Sequence, residues 1–192
     1  MTARPSTAAD RSGRSRGPHG PRAPSPWVER FAGLVPPDGT VLDLACGTGR
    51  HTRFFLDRGH PVLAMDIDLA GLGDLAGRPG LEAVRADLED GNPFPPGDRR
   101  FAAVVVTRYL YRPLMPALTR AVAPGGVLIY ETFAKGNERF GRPRNPDHLA
   151  RPGELLEAVR GRLRVVAYED VVLDKPRPAA VQRLCAVNEG EA

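Results

Sequence analysis

VLDLACGTGR, residues 41–50, is the stretch that decides the fold of this 192-residue chain. Its first half is apolar apart from one carboxylate, Asp43, a pattern typical of a short buried strand. The turn Cys46-Gly47-Thr48-Gly49 then leads into a helix, and glycine there tolerates unusual backbone angles and lets a ligand approach the main chain. Parallel α/β sheets bind ligands at the carboxyl ends of their strands, so this turn predicts a ligand site.

Strand and helix patterns alternate along the rest of the chain, which predicts a doubly wound α/β fold with helices on both faces of one sheet. The last two strands are joined by a short turn, so they form an antiparallel hairpin beside an otherwise mostly parallel seven-stranded sheet. The predicted strands cover residues 40–45, 61–67, 81–86, 101–107, 127–133, 163–173 and 180–188, and the predicted helices cover 26–35, 50–58, 69–75, 114–122 and 152–159.

Two of these helices have recognisable start signals. Ser25 is predicted to cap the first helix, whose buried face carries Trp27, Phe31 and Leu34 at helical spacing. Asp68 is predicted to cap a weaker helix, because its three leucines are separated by two glycines that disfavour helical structure.

The first 25 residues differ in composition from the rest of the chain. They are rich in Pro, Gly, Ser, Ala and Arg and have almost no large apolar side chains, which predicts a disordered tail before one domain at residues 26–192. Five arginines and one aspartate give this tail the whole net charge of +4, and the remainder is neutral. A neutral domain argues against a dedicated nucleic-acid binder, so nucleic acid is not the expected partner.

Cysteine usage and hydropathy limit the classes of protein further. Cys46 and Cys185 are too few for a disulfide framework or a zinc site, so we predict no metal centre. The chain has no apolar run of about 18 residues and no apolar stretch typical of a secretory signal. We therefore expect a cytoplasmic protein without a membrane partner, and the oligomeric state is left open.

The glycine turn matches only part of the fingerprint that binds dinucleotides. That fingerprint is G-x-G-x-x-G or Ala, and Gly47 and Gly49 supply its first two positions. The third position falls on Thr52, whose branched side chain hinders close packing of helix on strand. A nucleotide-binding oxidoreductase is therefore the disfavoured alternative, and a phosphate-binding P-loop is excluded because no Gly-Lys-Ser/Thr follows the turn.

Three carboxylates at neighbouring strand ends describe the ligand more closely. A buried Asp43 needs a partner, and the ammonium group of a ligand beside the turn would supply one. Asp66 ends the second strand, where a carboxylate accepts the two hydroxyls of a ribose. Asp87 ends the third strand and suits the exocyclic amine of a base. The pattern indicates an amino-acid moiety, a ribose and an adenine, without phosphate.

These residues resemble the class I S-adenosylmethionine-dependent methyltransferases, whose domain is Rossmann-like. The matching segments are residues 41–50, Asp66 after PVLAM, Ala86-Asp87-Leu88, and residues 122–126 before the fifth strand. The small size and the absence of insertions resemble the tellurite-resistance methyltransferase type. One departure is Ala45, where many members have the first of three glycines.

The resemblance implies S-adenosylmethionine as the cofactor and a methyltransferase activity. The methionine part would border Asp43 and the glycine turn, the ribose Asp66, the adenine Ile67 and Leu88, and the sulfonium methyl the end of the fourth strand. The implied cofactor-binding residues are Asp43, Ala45, Cys46, Gly47, Gly49, Asp66, Ile67, Asp87, Leu88, Thr107 and Arg108.

The acceptor of the methyl group is less defined, and a small molecule is the expectation. No catalytic residue is assigned; the candidates that line the acceptor pocket are Tyr109, Glu131 and His148. The stretch at residues 134–153 is long for a connection in this fold and rich in arginine, so it is either a recognition surface for an anion or a soluble cover. An RNA or protein methyltransferase and a catalytically silent cofactor-binding protein are the alternatives.

Overall fold

The computed structural model describes residues 23–190. The tail predicted for residues 1–25 therefore lies outside the described residues, except for its last three. Ser25 is buried, and its side chain accepts a hydrogen bond from the backbone N–H of Trp27, which confirms the predicted N-cap. Ser25 thus belongs to the folded domain.

Seven strands form one sheet in the order β3-β2-β1-β4-β5-β7-β6 within residues 23–190. The first five are parallel, whereas β7 is antiparallel to both β5 and β6. This confirms the predicted mostly parallel sheet with a closing hairpin. The strands are β1 Val41–Leu44, β2 Val62–Asp66, β3 Leu81–Arg85, β4 Phe101–Thr107, β5 Val122–Phe133, β6 Arg164–Leu173 and β7 Ala179–Val187.

Short helices cover both faces of the sheet. The α-helices are α1 Pro26–Phe31, α2 Arg50–Leu56, α3 Met115–Arg120 and α4 Glu154–Val159, and 3₁₀ turns cover Ala32–Leu34, Ala70–Leu75, Arg112–Leu114, Asn137–Arg139 and Pro146–His148. The α1 and α2 helices pack on one core with Val105 and Ile129, and α3 and α4 pack on the other with Val104 and Tyr130. Side chains alternate along a strand, so every second residue of β1, β4 and β5 faces α1 and α2.

Three sequence predictions are corrected by the structure. Leu34 is 42% exposed, because α1 ends at Phe31 and the following 3₁₀ turn removes Leu34 from the buried face. The segment that Asp68 was predicted to cap is a 3₁₀ helix whose N-cap is Leu69, while Asp68 Oδ1 accepts a hydrogen bond of 2.9 Å from the N–H of Ala70. Residues 122–126, predicted to precede the fifth strand, lie inside β5, where Gly125 has φ +75° and the register with β4 shifts.

Close packing explains one of the two glycines of the 3₁₀ helix at Ala70–Leu75. A Cβ atom at Gly71 would lie 2.5 Å from the carbonyl oxygen of Gly47 and 2.7 Å from Cα of Thr48. A Cβ atom at Gly73 meets nothing within 4 Å. The 3₁₀ helix therefore rests directly on the glycine turn through Gly71.

We expect Gly71→Ala to lower the free energy of unfolding by about 1–3 kcal/mol, because backbone atoms of the turn must move to admit the methyl group. Gly73→Ala is the matched control in the same 3₁₀ helix and changes it by less than about 1 kcal/mol. Urea unfolding of both variants measures the difference. Equal stability of the two variants would contradict the packing described above.

Candidate active site

The turn after β1 is built from residues in the left-handed region. Ala45, Gly47 and Gly49 have φ of +53°, +57° and +71°. A Cβ atom at Gly49 would lie 2.2 Å from the Leu72 side chain, and the left-handed φ of Gly49 also favours glycine. Ala45 adopts a left-handed conformation that costs an alanine about 1–2 kcal/mol. The turn therefore keeps this backbone path without a glycine at position 45.

Asp66 joins the end of β2 to this turn. Its Oδ2 atom accepts a hydrogen bond of 2.7 Å from the backbone N–H of Gly47, and its Oδ1 atom accepts one of 3.1 Å from the N–H of Asp68. Each carboxylate oxygen has a second lone pair that remains for a ligand hydroxyl. The neighbouring backbone of Cys46 is tied to the same strand, since its N–H donates to the Met65 oxygen at 3.0 Å.

The predicted adenine residues follow β2 and β3. Ile67 is 49% exposed, which is unusual for an isoleucine and provides an apolar surface at the strand edge. Leu88 is half-buried, and the Oδ1 atom of Asp87 accepts from the N–H of Glu89 at 3.0 Å. These residues lie after neighbouring parallel strands, so their segments share one edge of the sheet.

Asp43 is fully buried, and the chain itself supplies its partner. The Thr52 hydroxyl, in the first turn of α2, donates to Asp43 Oδ2 at 2.6 Å. The sequence suggests a ligand ammonium group as the partner of this carboxylate. In the structure the Thr52 hydroxyl is that partner, so no ligand is needed. This hydrogen bond also explains why a threonine occupies the position of the third fingerprint glycine. Burial raises the pKa of Asp43 to about 6, although the Thr52 hydrogen bond and the Arg50 charge oppose the shift.

His51 is a site residue that the sequence analysis missed. It is 1% exposed, and its Nε2 atom accepts a hydrogen bond of 3.1 Å from the backbone N–H of Ser25. Burial and the charges of Arg50 and Arg108 lower its pKa to about 3. The sequence signal that could have found His51 is its helical spacing from Phe54 and Phe55, which places the imidazole on the buried face of α2.

The end of β4 lies beside this buried cluster. The Thr107 Oγ1 atom is 3.4 Å from Arg50 Nη2 and 3.4 Å from His51 Nδ1. Arg108 has φ +57°, and its backbone N–H donates to the main-chain oxygen of Glu131 at 2.8 Å. Its side chain is exposed. Among residues 23–190, Arg108 forms no ion pair.

Comparison with known proteins agrees with this geometry. A family model described as a methyltransferase domain matches residues 41–126. Trans-aconitate 2-methyltransferase of Methylobacterium nodulans is 33% identical over 122 residues, 60% of this chain and 42% of that protein. The chain spans about half the length of the curated relatives that it matches.

Solved methyltransferases share the fold. TehB from Haemophilus influenzae superposes with a TM-score of 0.65 at 17% identity, over 84% of this chain and 61% of TehB. The 1,6-didemethyltoxoflavin-N1-methyltransferase of Burkholderia thailandensis, solved with its acceptor and S-adenosylhomocysteine, has a TM-score of 0.63 at 20% identity, over 85% of this chain and 76% of that one.

The comparisons support the predicted class I S-adenosylmethionine-dependent methyltransferase family, since its domain model matches residues 41–126 and the relatives described above are methyltransferases. The Rossmann-like fold is confirmed, and S-adenosylmethionine is the cofactor of that family. The narrower likeness to the tellurite-resistance type is a likeness of fold, carried by TehB and a TehB-like structure. The cofactor contacts of individual residues stay predictions.

The structure places the three predicted acceptor-pocket residues in different surroundings. The Tyr109 hydroxyl is buried and makes no hydrogen bond with the described residues, and burial and the Glu89 charge raise its pKa. His148 is exposed in the 3₁₀ turn Pro146–His148, where no described contact joins it to the turn after β1.

The carboxylate of Glu131, the third acceptor-pocket candidate, is bound by other residues of the protein. It is 7% exposed, and both of its oxygens accept hydrogen bonds from the protein, from Ser25 Oγ at 3.1 Å and from Arg183 Nε at 2.8 Å. Arg183 pairs with Glu131 and, through Nη1 at 3.2 Å, also with Glu169. Glu131 therefore holds the cap of α1 against the sheet, because its carboxylate is committed to these two partners.

Arg112 binds the long loop after β5 and the start of α4 through four hydrogen bonds. Arg112 donates to both oxygens of Glu154, at 2.6 and 2.9 Å, and to the main-chain oxygens of Asp147 and Leu149 at 2.7 and 3.0 Å. The segment after β4 and this loop are thus joined at the same edge. Four arginines of the loop are exposed and form no ion pair with residues 23–190: Arg139, Arg142, Arg144 and Arg151.

Residues 23–190 contain no group of three or more His, Cys, Asp or Glu side chains arranged to hold a metal ion. None of the helices in that range is long and apolar enough to cross a membrane.

The raised pKa of Asp43 predicts a pH-dependent stability. The carboxyl has a pKa of about 6 in the folded protein against an ordinary value of 3.8, so the stability that the protonated carboxyl contributes is fully present at low pH and is lost as pH rises through 6. Asp43→Asn removes the ionisation and keeps an oxygen for Thr52. We expect the free energy of unfolding of Asp43→Asn, relative to the unmodified chain, to rise by about 3 kcal/mol between about pH 3 and pH 7.5.

Urea unfolding at several pH values between those limits measures this difference. Asp98→Asn, at an exposed position, is the control and shows no such trend. A stability difference for Asp43→Asn that is independent of pH would contradict the assignment of a buried, ionising carboxyl.

Proposed function

We propose that this methyltransferase transfers the methyl group of S-adenosylmethionine to a carboxylate of a small, multiply charged anion. The observation that carries the proposal is the charge at the end of β4. Arg108 is exposed without an ion pair among residues 23–190, Arg50 Nη2 lies 3.4 Å from Thr107 Oγ1, and the nearby Glu131 is already paired with Arg183. An acceptor there meets positive charge and hydrogen-bond donors.

The described residues fit the cofactor. Asp66 keeps a free lone pair on each oxygen for the ribose hydroxyls, and Ile67 offers an exposed apolar surface for the adenine. A Cβ atom at Gly47 would meet nothing within 4 Å, so there is open space at the turn for the methionine part. The buried Tyr109 hydroxyl without a hydrogen bond is a donor that a ligand can satisfy.

The cofactor supplies a methyl group activated by a sulfonium. A lone pair of the acceptor carboxylate forms the new C–O bond while the C–S bond breaks, which yields a methyl ester and a neutral thioether. A carboxylate is already ionised at neutral pH, because its ordinary pKa is about 4, so no proton has to be removed. The protein then has to orient the reactants, and orientation alone supplies up to about 7–11 kcal/mol.

The charge distribution favours an acceptor with more than one carboxylate. A guanidinium binds a carboxylate through two parallel hydrogen bonds and thereby lowers the nucleophilicity of that group. One carboxylate held by Arg108 leaves another free to react. Curated relatives are named trans-aconitate 2-methyltransferase, and trans-aconitate is a tricarboxylate, which supports this class of acceptor. The cytoplasmic location expected from the sequence is part of the same proposal.

We expect the full chain to methylate trans-aconitate in an assay that follows radiolabelled methyl transfer from S-adenosylmethionine. Arg108→Gln should raise KM for trans-aconitate by about 10- to 100-fold, as expected for a lost charged hydrogen-bond pair. Arg162→Gln is the control, since Arg162 precedes β6 at the opposite edge of the sheet and is also exposed.

A panel of methyl acceptors tested in the same assay distinguishes the proposed function from its alternatives. It should contain other di- and tricarboxylates, the trimethyl ester of trans-aconitate, amines, RNA and protein. Transfer only to amines, RNA or protein would overturn the anionic acceptor. Cofactor binding without transfer to any acceptor would instead favour a catalytically silent protein.

A further inference from the structure

One buried imidazole contacts three segments at the candidate site. The backbone N–H of Ser25, at the cap of α1, donates to His51 Nε2 at 3.1 Å, while His51 itself lies in the first turn of α2. Its other ring nitrogen, Nδ1, lies 3.4 Å from the Thr107 hydroxyl oxygen at the end of β4. No role in the proposed methyl transfer has been given to this residue above.

The donor at Nε2 fixes the tautomer of the ring. A backbone N–H can only donate, so Nε2 must present its lone pair and carries no proton. Burial and the Arg50 and Arg108 charges disfavour the imidazolium, and the pKa of His51 is about 3. A neutral imidazole carries one proton, and that proton is therefore on Nδ1. The charged groups around the ring are Arg50, Arg108 and Asp43, whose Oδ1 atom is 4.0 Å from Nδ1.

The proton on Nδ1 determines what the Thr107 hydroxyl can do. Its oxygen is nearer to Nδ1 than Asp43 is, so it accepts the His51 hydrogen bond, and it also faces Arg50 Nη2 at 3.4 Å. A hydroxyl oxygen has two lone pairs, and these two donors use both. The hydroxyl hydrogen must then point away from His51 and Arg50, which leaves Thr107 as a donor at the end of β4.

We propose that His51 is a positioning residue whose Nδ1–H fixes the Thr107 hydroxyl as a hydrogen-bond donor to the acceptor carboxylate. The proposal rests on the carboxylate acceptor proposed above. In this proposal His51 is not a general base, because the lone pair of its Nε2 atom accepts the hydrogen bond from the Ser25 N–H. The acceptor then meets only donors and cations, which selects molecules that are anionic before they react.

The tautomer is tested without any acceptor. Nitrogen-15 NMR of the full chain, labelled at histidine, distinguishes a protonated Nδ1 from a protonated Nε2 by the couplings to the ring carbons. The chain has four histidines, and the spectrum of His51→Asn assigns the signal of His51 by its loss. We expect the Nδ1–H form at neutral pH; a protonated Nε2 or an imidazolium would overturn the proposal.

Two amide variants separate the positioning role from a structural one. Asparagine places its N–H near the position of Nδ1, and glutamine places its amide near that of Nε2. We expect His51→Asn to keep KM for trans-aconitate within about threefold and His51→Gln to raise it about tenfold or more, with the affinity for S-adenosylhomocysteine unchanged in both. Thr107→Val should match His51→Gln, and Thr107→Ser should match the unmodified chain.

Urea unfolding of each variant separates a loss of folding from a loss of positioning. The reverse order, with glutamine as the better replacement, would overturn the role of Nδ1. Equal KM values for the two variants would overturn it as well. If the unmodified chain methylates no carboxylate, the proposed function fails together with the role of Thr107, whereas the NMR result still decides the tautomer.

Discussion

The hydrogen bond of 2.6 Å between the Thr52 hydroxyl and the Asp43 carboxylate is the constraint on which the rest of the site depends. Both groups are almost completely buried, at 0% and 1% exposure, and a buried carboxylate without a partner costs several kcal/mol. Because Asp43 belongs to β1 and Thr52 to the first turn of α2, the bond sets the distance between strand and helix. The glycine turn therefore has to connect the end of β1 to the start of α2 across that fixed distance.

That path brings the backbone of the turn to Asp66 and to Gly71. The N–H of Gly47 meets the Asp66 carboxylate at 2.7 Å, and the 3₁₀ helix at Ala70–Leu75 packs on the other side of the turn without room for a Cβ atom. The same docking of α2 buries His51 against Ser25, so the cap of α1 is joined to the turn. A strand, a turn and two helices thus form one rigid edge, and rigidity of this kind is what orientation in catalysis requires.

The sequence predicted the sheet well, because strands of four to seven apolar residues between glycines and prolines have a strong local signal. It predicted the family from Asp43, Asp66 and Asp87 around a glycine turn. It did not predict the partners of Asp43 and Glu131, since these are contacts between residues far apart in the chain or across a turn whose geometry is not visible in one sequence. Thr52 was interpreted as an obstacle to packing, and the structure shows that its hydroxyl stabilises the core.

The central claim is that the edge formed by the turn and Asp66 binds the cofactor of this family. Calorimetric titration of the full chain with S-adenosylhomocysteine tests it most directly, with Asp66→Asn as the variant and the exposed Asp98→Asn as the control. The account predicts saturable binding at one site, weakened about tenfold or more only by Asp66→Asn, because a charged acceptor of the ribose hydroxyls is lost. No binding, or equal affinity for both variants, would contradict it.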